Sequence, residues 1–123
     1  MTIELILPWP PTVNHYWRHV VIGRRAQVYI SADGKRYRQM VGTRCKKVGS
    51  MGAARLRVAI AANPPDKRRR DLDNVLKAVL DAVTHAGVWD DDSQIDQLTI
   101  ERTDAGEPGT VVLTVQTNEG ESE

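Results

Sequence analysis

Hydrophobic residues alternate at the start of the chain. Ile3, Leu5 and Leu7 fall on one side of an extended segment, and the Pro8, Trp9, Pro10, Pro11 run closes it because proline cannot donate to a ladder. Ala26, Val28 and Ile30 alternate again and predict a second strand, with a long loop expected between the two. Ser31 then stands where a helix N-cap is expected, ahead of an apolar face of Tyr37, Met40, Val41, Cys45 and Val48. The opposite face is basic, with Lys35, Arg38 and Lys46, and Gly49 and Gly52 end the helix. Leu56, Val58 and Ile60, flanked by Arg55 and Arg57, predict a third strand that runs into Asn63, Pro64 and Pro65.

The clearest helical period lies at Leu72, Val75, Leu76, Val79, Leu80, Val83 and Ala86, and Gly87 stops it. Leu98 with Ile100, then Val111, Leu113 and Val115, predict two closing strands joined by a turn-rich stretch from Asp104 to Gly109. Ile95 is out of phase with Leu98 and Ile100, which predicts a bulge or a late strand start near Asp96. The pattern reads as an α+β fold: a single small domain over residues 1–117, with a mixed sheet and two helices in the order ββαβαββ. A polar tail, residues 118–123, is expected to fray.

At 123 residues the chain can bury a real core without staples. The single cysteine, Cys45, excludes an internal disulfide, and no apolar run is long enough for a signal peptide or a membrane span. A cytoplasmic location and no membrane partner are therefore expected. Net charge is only +1, which taken alone argues against a polyanionic partner. The average conceals a division. Residues 1–70 carry fifteen Lys or Arg against three Asp or Glu, and residues 71–123 carry two against thirteen, so the halves hold +12 and −11. The basic half can supply a footprint for phosphates and the acidic half ligands for a cation, although the halves can also simply attract each other.

The boundary between the halves is the most informative segment. Arg68, Arg69, Arg70, Asp71, Leu72, Asp73 and Asn74 are followed by Lys77, and Asp90, Asp91 and Asp92 answer downstream. Clustered carboxylates repel one another, so such a set makes most sense with a divalent metal among them, and the neighbouring arginines point to a polyanion. Metal with polyanion indicates phosphodiester chemistry.

Side chains at i and i+2 share a side only in extended chain, so Asp71 and Asp73 converge only if the chain is still extended there and the helix begins at about Asp71 to Asp73. One aspartate is accounted for by N-capping; the second is not. Lys77, one turn after Asp73, can form an ordinary ion pair with it or steady charge on a reacting phosphate, while Asp81 is assigned to structure. The helix to Ala86 carries the chain about 20 Å away, so Asp90, Asp91 and Asp92 must return to join the pair.

An EF-hand is excluded, because Asp71 as its first position puts Val75, Leu76 and Ala82 where an oxygen ligand, Gly and Glu are required. Zinc is disfavoured by the lone cysteine, and His15 with His19 lacks a third ligand. Trp9, Asn14, Tyr16, Trp17 and Arg18, followed by Arg24 and Arg25, mix aromatic and cationic residues as binders of single strands or junctions do; a loop folded over the core accounts for them equally well.

The segment from Arg69 to Ile95 closely resembles RusA-type Holliday junction resolvases. It carries Asp71, Leu72, Asp73, Asn74, Lys77, Asp81 and Gly87, and ends in Asp91, Asp92, Ser93, Gln94 and Ile95. The opening Leu7, Pro8, Trp9, Pro10, Pro11 and Asn14 is similar to the N-terminal signature of the same family. The resemblance implies a small α+β homodimer of phage or prophage descent that nicks four-way DNA junctions symmetrically with Mg²⁺. It matches Asp71, Asp73 and Asp92 to catalytic, metal-holding carboxylates and Lys77 to an active-site lysine. Asp91 matches a neighbouring acidic position, and Asp90 adds a charge where relatives tend to be apolar, so which of the three faces the metal stays open.

Two symmetric cuts also require two sites, which a two-fold dimer supplies. If the acidic clusters meet, either the strand after Asp92 packs antiparallel to the helix or a partner subunit helps. Arg68, Arg69, Arg70 and Asn74 form the expected nucleic-acid-binding set. The rival readings are a nuclease for another branched DNA, such as a flap or fork, and a non-catalytic prophage DNA-binding protein.

Overall fold

The computed structural model describes residues 1–118. Strands β1 (Thr2–Pro8), β4 (Leu56–Asn63), β5 (Ile95–Arg102) and β6 (Thr110–Thr117) form one mixed sheet in the order β1-β6-β4-β5. β1 and β4 each pair antiparallel with β6, while β5 runs parallel to β4. A parallel neighbour needs a crossover, and helix α3 (Leu72–Ala86) provides it. Along β1, β4 and β6 every second residue is buried, as expected of strands with one covered face. Helix α2 (Ala32–Cys45) packs beside α3 and against β1, so both helices lie against the sheet.

Two elements differ from the predicted order. Residues 12–25, expected as a loop, contain a short helix α1 (Val13–Tyr16) and strand β2 (Trp17–Ile22). β2 pairs with β3 (Arg25–Ile30) in a separate two-stranded ribbon. Among the described residues, six strands, three α-helices and a 3-10 turn therefore replace the five strands and two helices expected. The ribbon's base, Trp17 and Ile30, packs on the core, and its outer part leaves Val21, Ile22, Val28 and Tyr29 exposed. A strand without a buried face shows no two-residue period, which is why β2 was not visible as one.

Most other expectations hold, with Met40 and Asn118 as exceptions. Ser31 caps α2 by accepting from the Gly34 amide at 2.9 Å. Tyr37, Val41 and Cys45 are buried as predicted, whereas Met40 turns outward, 41% exposed. Leu56 opposes Ile95 and Arg57 opposes Gln97, so Asp96 is the extra residue of a bulge. Gly87 ends α3 in the left-handed conformation, φ 84°. Asn118, assigned to the tail, is tied down: its amide donates to the Arg55 carbonyl at 2.8 Å and its side chain to Asp96 at 2.9 Å. The rest of the predicted frayed tail lies outside the described residues.

Burial of Val75, Val79 and Val83 anchors α3 to the core. At about 1.5–3 kcal/mol for each such side chain, this packing outweighs the ~1 kcal/mol of a typical N-cap bond. The helix can therefore start without a capping side chain.

Candidate active site

The approach to α3 is held from several directions. Asn63, at the end of β4, donates to Thr110 Oγ1 at 2.9 Å, and the Gly106 amide donates to the Pro64 carbonyl at 2.8 Å. Gly109 lies against Pro65 with φ +83°; a Cβ there would sit 2.8 Å from Pro65 Cδ and 2.9 Å from its backbone N. Only glycine allows this approach. Beyond it, Asp66 gathers two of the three arginines. It accepts from the Arg68 amide at 2.9 Å and guanidinium at 3.1 Å, and pairs with Arg70 Nη1 at 2.8 Å. Bonds from Arg70 first and the Arg68 backbone second hold the Asp66 carboxyl at a pKa of about 2.

Arg70 also stacks over Trp9, its Cζ 5.7 Å from the ring centroid, and its carbonyl accepts from Arg102 Nη2 at 2.5 Å. Arg69 makes no side-chain hydrogen bond or ion pair among the described residues and is exposed. The basic triplet is thus one available cation between two committed ones. Asp66 was not singled out from the sequence, because residues 66–70 are not helical and their spacing does not mark the pairing with Arg70.

Asp71 occupies the N-cap position in extended conformation, φ −90° and ψ 132°, yet its side chain makes no capping bond. Asp73 follows in the first turn, already helical. The two carboxylates straddle the start of the helix, both exposed and both without a hydrogen bond or ion pair among the described residues. Lys77 is likewise exposed and makes no ion pair with Asp73. Among the described residues neither side-chain capping by Asp71 nor i,i+4 pairing of Asp73 with Lys77 occurs. The half-buried Asn74 side chain also has no partner among the described residues, although the main-chain N–H of Asn74 donates to the Asp71 carbonyl at 3.2 Å.

The downstream aspartates are unequal. Asp91 caps a 3-10 turn (Asp92–Gln94) by accepting from the Ser93 amide at 2.9 Å, and hydrogen bonding from Ser93 holds its carboxyl below the usual range. Gln94 completes a capping box by accepting from the amides of Asp90 and Asp91, and donates to the carbonyls of Gly52 and Ala54 at 2.8 and 2.7 Å. The side chains of Asp90 and Asp92 remain exposed and unengaged.

The turn is therefore locked beside residues 52–54, at the start of β4, whereas Asp71 follows its end. Eight residues of strand and fifteen of helix separate the two ends, roughly 25 Å along β4. β5 does run antiparallel to α3, but it starts at the far end of the helix and returns Arg102, not Asp92, to the neighbourhood of Arg70. Among the described residues no three His, Cys, Asp or Glu side chains gather where they could hold a metal ion. Asp71 and Asp73 still suit a hard divalent cation, being exposed carboxylates with no competing partner, and one chain supplies two of the three donors expected.

Asp81 is structural, as expected. It accepts from the Tyr16 hydroxyl and from Arg38 Nε and Nη2 at 3.0 and 3.2 Å. Burial, then the bond to Asp81, pushes the Tyr16 hydroxyl well above the ordinary tyrosine range. His15 Nδ1 is bonded to Thr12 Oγ1 at 3.0 Å. Tyr16 is fully buried, Trp9 and Trp17 are partly so, and Arg18, Arg24 and Arg25 are exposed. The aromatic-basic segment thus divides between core and surface.

The family described as Endodeoxyribonuclease RusA matches residues 8–115. Among curated proteins, the chain is 44% identical over 101 residues to the crossover junction endodeoxyribonuclease of Enterobacteria phage HK97, covering 80% of this chain and 81% of the relative. It is 39% identical over 117 residues to the similarly named protein of Shigella sonnei and 38% over 116 to that of Escherichia coli K12, with 93% of each chain covered in both.

Proposed function

The chain belongs to the RusA endodeoxyribonuclease family, and on that footing we propose that it resolves four-way DNA junctions by paired, symmetric, Mg²⁺-dependent nicks. The observation that carries this reading is the set of uncommitted groups at the start of α3: Asp71, Asp73 and Lys77, with Arg69 beside them. Surface charges left without partners at one place are poised for a ligand.

In this reading Asp71 and Asp73 hold the cation together with Asp92 of the partner subunit. A divalent cation supplies Lewis-acid polarisation of the scissile phosphate and lowers the pKa of the attacking water. Lys77, one helical turn from Asp73, places an ammonium where charge builds on phosphorus oxygens, and Arg69 neutralises backbone phosphate. A two-fold contact is reciprocal. If Asp92 of one subunit reaches Asp71 and Asp73 of the other, both sites are completed at once, which couples two cuts to one assembly.

The test is a labelled mobile four-way junction incubated with Mg²⁺ beside flap, fork and duplex controls, resolved on a denaturing gel. Symmetric nicks in opposed strands of the junction are expected. Faster cutting of a flap or fork would change the substrate, and binding without cutting of any DNA would leave a non-catalytic binding protein.

A further inference from the structure

Beside Asp71, and on the side of Asn74 rather than Asp73 and Lys77, lies a cleft of about 490 Å³ between Trp9, Pro10 and Pro11 and the first turn of α3. Its walls are chemically divided. The indole and the two prolines offer flat apolar surface, while Thr12, Arg69, Arg70, Asn74 and Asp71 supply the polar groups. Its volume falls within the ~300–1,000 Å³ of small-molecule sites, which typically pair apolar walls with a few convergent polar groups.

We propose that this cleft receives a nucleobase turned out of its stack next to the scissile phosphate. The inference deepens the DNA-cutting reading above and rests on it. Three features select a base over other ligands. A free phosphate would find Arg69, since Arg70 is already paired with Asp66, but it would also meet the Asp71 carboxylate and gain nothing from the indole and proline walls. A base brings a flat face for the aromatic wall and a polar edge for hydrogen bonding, as unstacked bases do on aromatic platforms. The Asn74 amide, half-buried and without a side-chain partner, has the donor and acceptor such an edge needs. Arg70 stiffens the wall: it stacks over Trp9 while Asp66 anchors it at 2.8 Å, so the platform is set before DNA arrives.

Location gives the base a role. Asp71 is shared between the cleft's rim and the metal-holding pair, so a base seated in the cleft fixes its own nucleotide relative to that pair. Asn74 is then a positioning residue, and the cleft a place where the identity of a base near the cut can be read. Branch-point bases are the easiest to supply, because their stacking is already interrupted.

The experiment uses synthetic four-way junctions in which a single abasic tetrahydrofuran residue is walked through the nucleotides flanking each cut. Dissociation constants are measured in EDTA, where no cutting occurs, for the wild-type protein, Asn74→Ala and Trp9→Ala. Removing a base also removes the cost of unpairing it, but that contribution is common to all three proteins and cancels in the double ratio of constants. At one position the abasic penalty in the wild type should exceed that in Asn74→Ala and Trp9→Ala by ~10-fold. Equal penalties at every position would overturn the cleft's role. Should Trp9→Ala fail to fold, Asn74→Ala decides alone, because its side chain holds nothing in the described structure. A wild-type protein that cuts the unmodified junction yet shows no coupling refutes only this inference; one that neither binds nor cuts it refutes the function as well.

Discussion

Arg102, at the end of β5, donates to the main-chain carbonyl of Arg70, one residue before Asp71. That bond fixes which part of the returning chain lies beside the candidate catalytic carboxylates. It is a cation from the end of the strand, while Asp92, at the strand's beginning, stays at the opposite end of α3. Because one chain keeps Asp92 away from Asp71, the proposed site is drawn from two copies.

Asp71→Ala should leave folding stability nearly unchanged, within about 0.5 kcal/mol, because no capping bond is lost; a functioning cap would cost ~1 kcal/mol. Cutting of the junction should fall below detection in the same variant. Chemical denaturation and a gel assay check the two halves, and a large loss of stability would return Asp71 to a capping role.

Lys77→Ala should slow cutting at saturating DNA at least ten-fold while raising the dissociation constant much less, if the ammonium acts mainly in the transition state. Its thermal midpoint should match the wild type, since no ion pair with Asp73 is broken. Near-normal turnover would remove Lys77 from the chemistry.

The three arginines should separate. Arg69→Ala should weaken junction binding and reduce the slope of log affinity against log salt by about 0.9, as expected for one phosphate contact. Arg70→Ala should act first on stability, by about 1–2 kcal/mol, because its guanidinium is tied to Asp66 and stacked on Trp9. Salt titrations and melts of both variants would expose an equal, purely electrostatic effect if the triplet acts as one patch.

Asp66 has its carboxyl lowered from the ordinary 3.8 to about 2, so the folded state binds its proton less tightly than the unfolded state. The stabilisation is complete above about pH 4 and is lost as pH falls through about 2. Melting curves across that window should show a steeper decline for the wild type than for Asp66→Asn. Parallel declines would mean that the Arg68 and Arg70 contacts are not maintained in solution.

Much of the fold was legible because burial imposes a period. α3 appears in the pattern from Leu72 to Ala86, Gly87 ends it, and the phase error at Ile95 marks the bulge at Asp96. β2 was illegible because Trp17–Ile22 has no fully buried face, and Met40 misled because an apolar residue at the edge of a helical stripe can turn outward without large cost. At the site, residue types and spacing singled out Asp71, Asp73 and Lys77 as candidates, and among the described residues none has a competing partner. Local spacing could not distinguish Arg69 from its neighbours, because that depends on Asp66 and Trp9. Nor could it say that Asp92 stays near Ala54, because this follows from the parallel pairing of β4 with β5.

The composite site is tested most directly by mixing two inactive variants. Asp73→Asn and Asp92→Asn should each abolish junction cutting as homodimers, since a carboxamide is a poor ligand for Mg²⁺. In a mixed dimer, one site combines both substitutions and the other is wholly wild type. Co-refolding the two variants should therefore restore nicking of one strand of the labelled junction, with at most half of the dimers active. No nicking by the mixture, under conditions where the wild type cuts and mixed dimers are shown to form, would contradict the account.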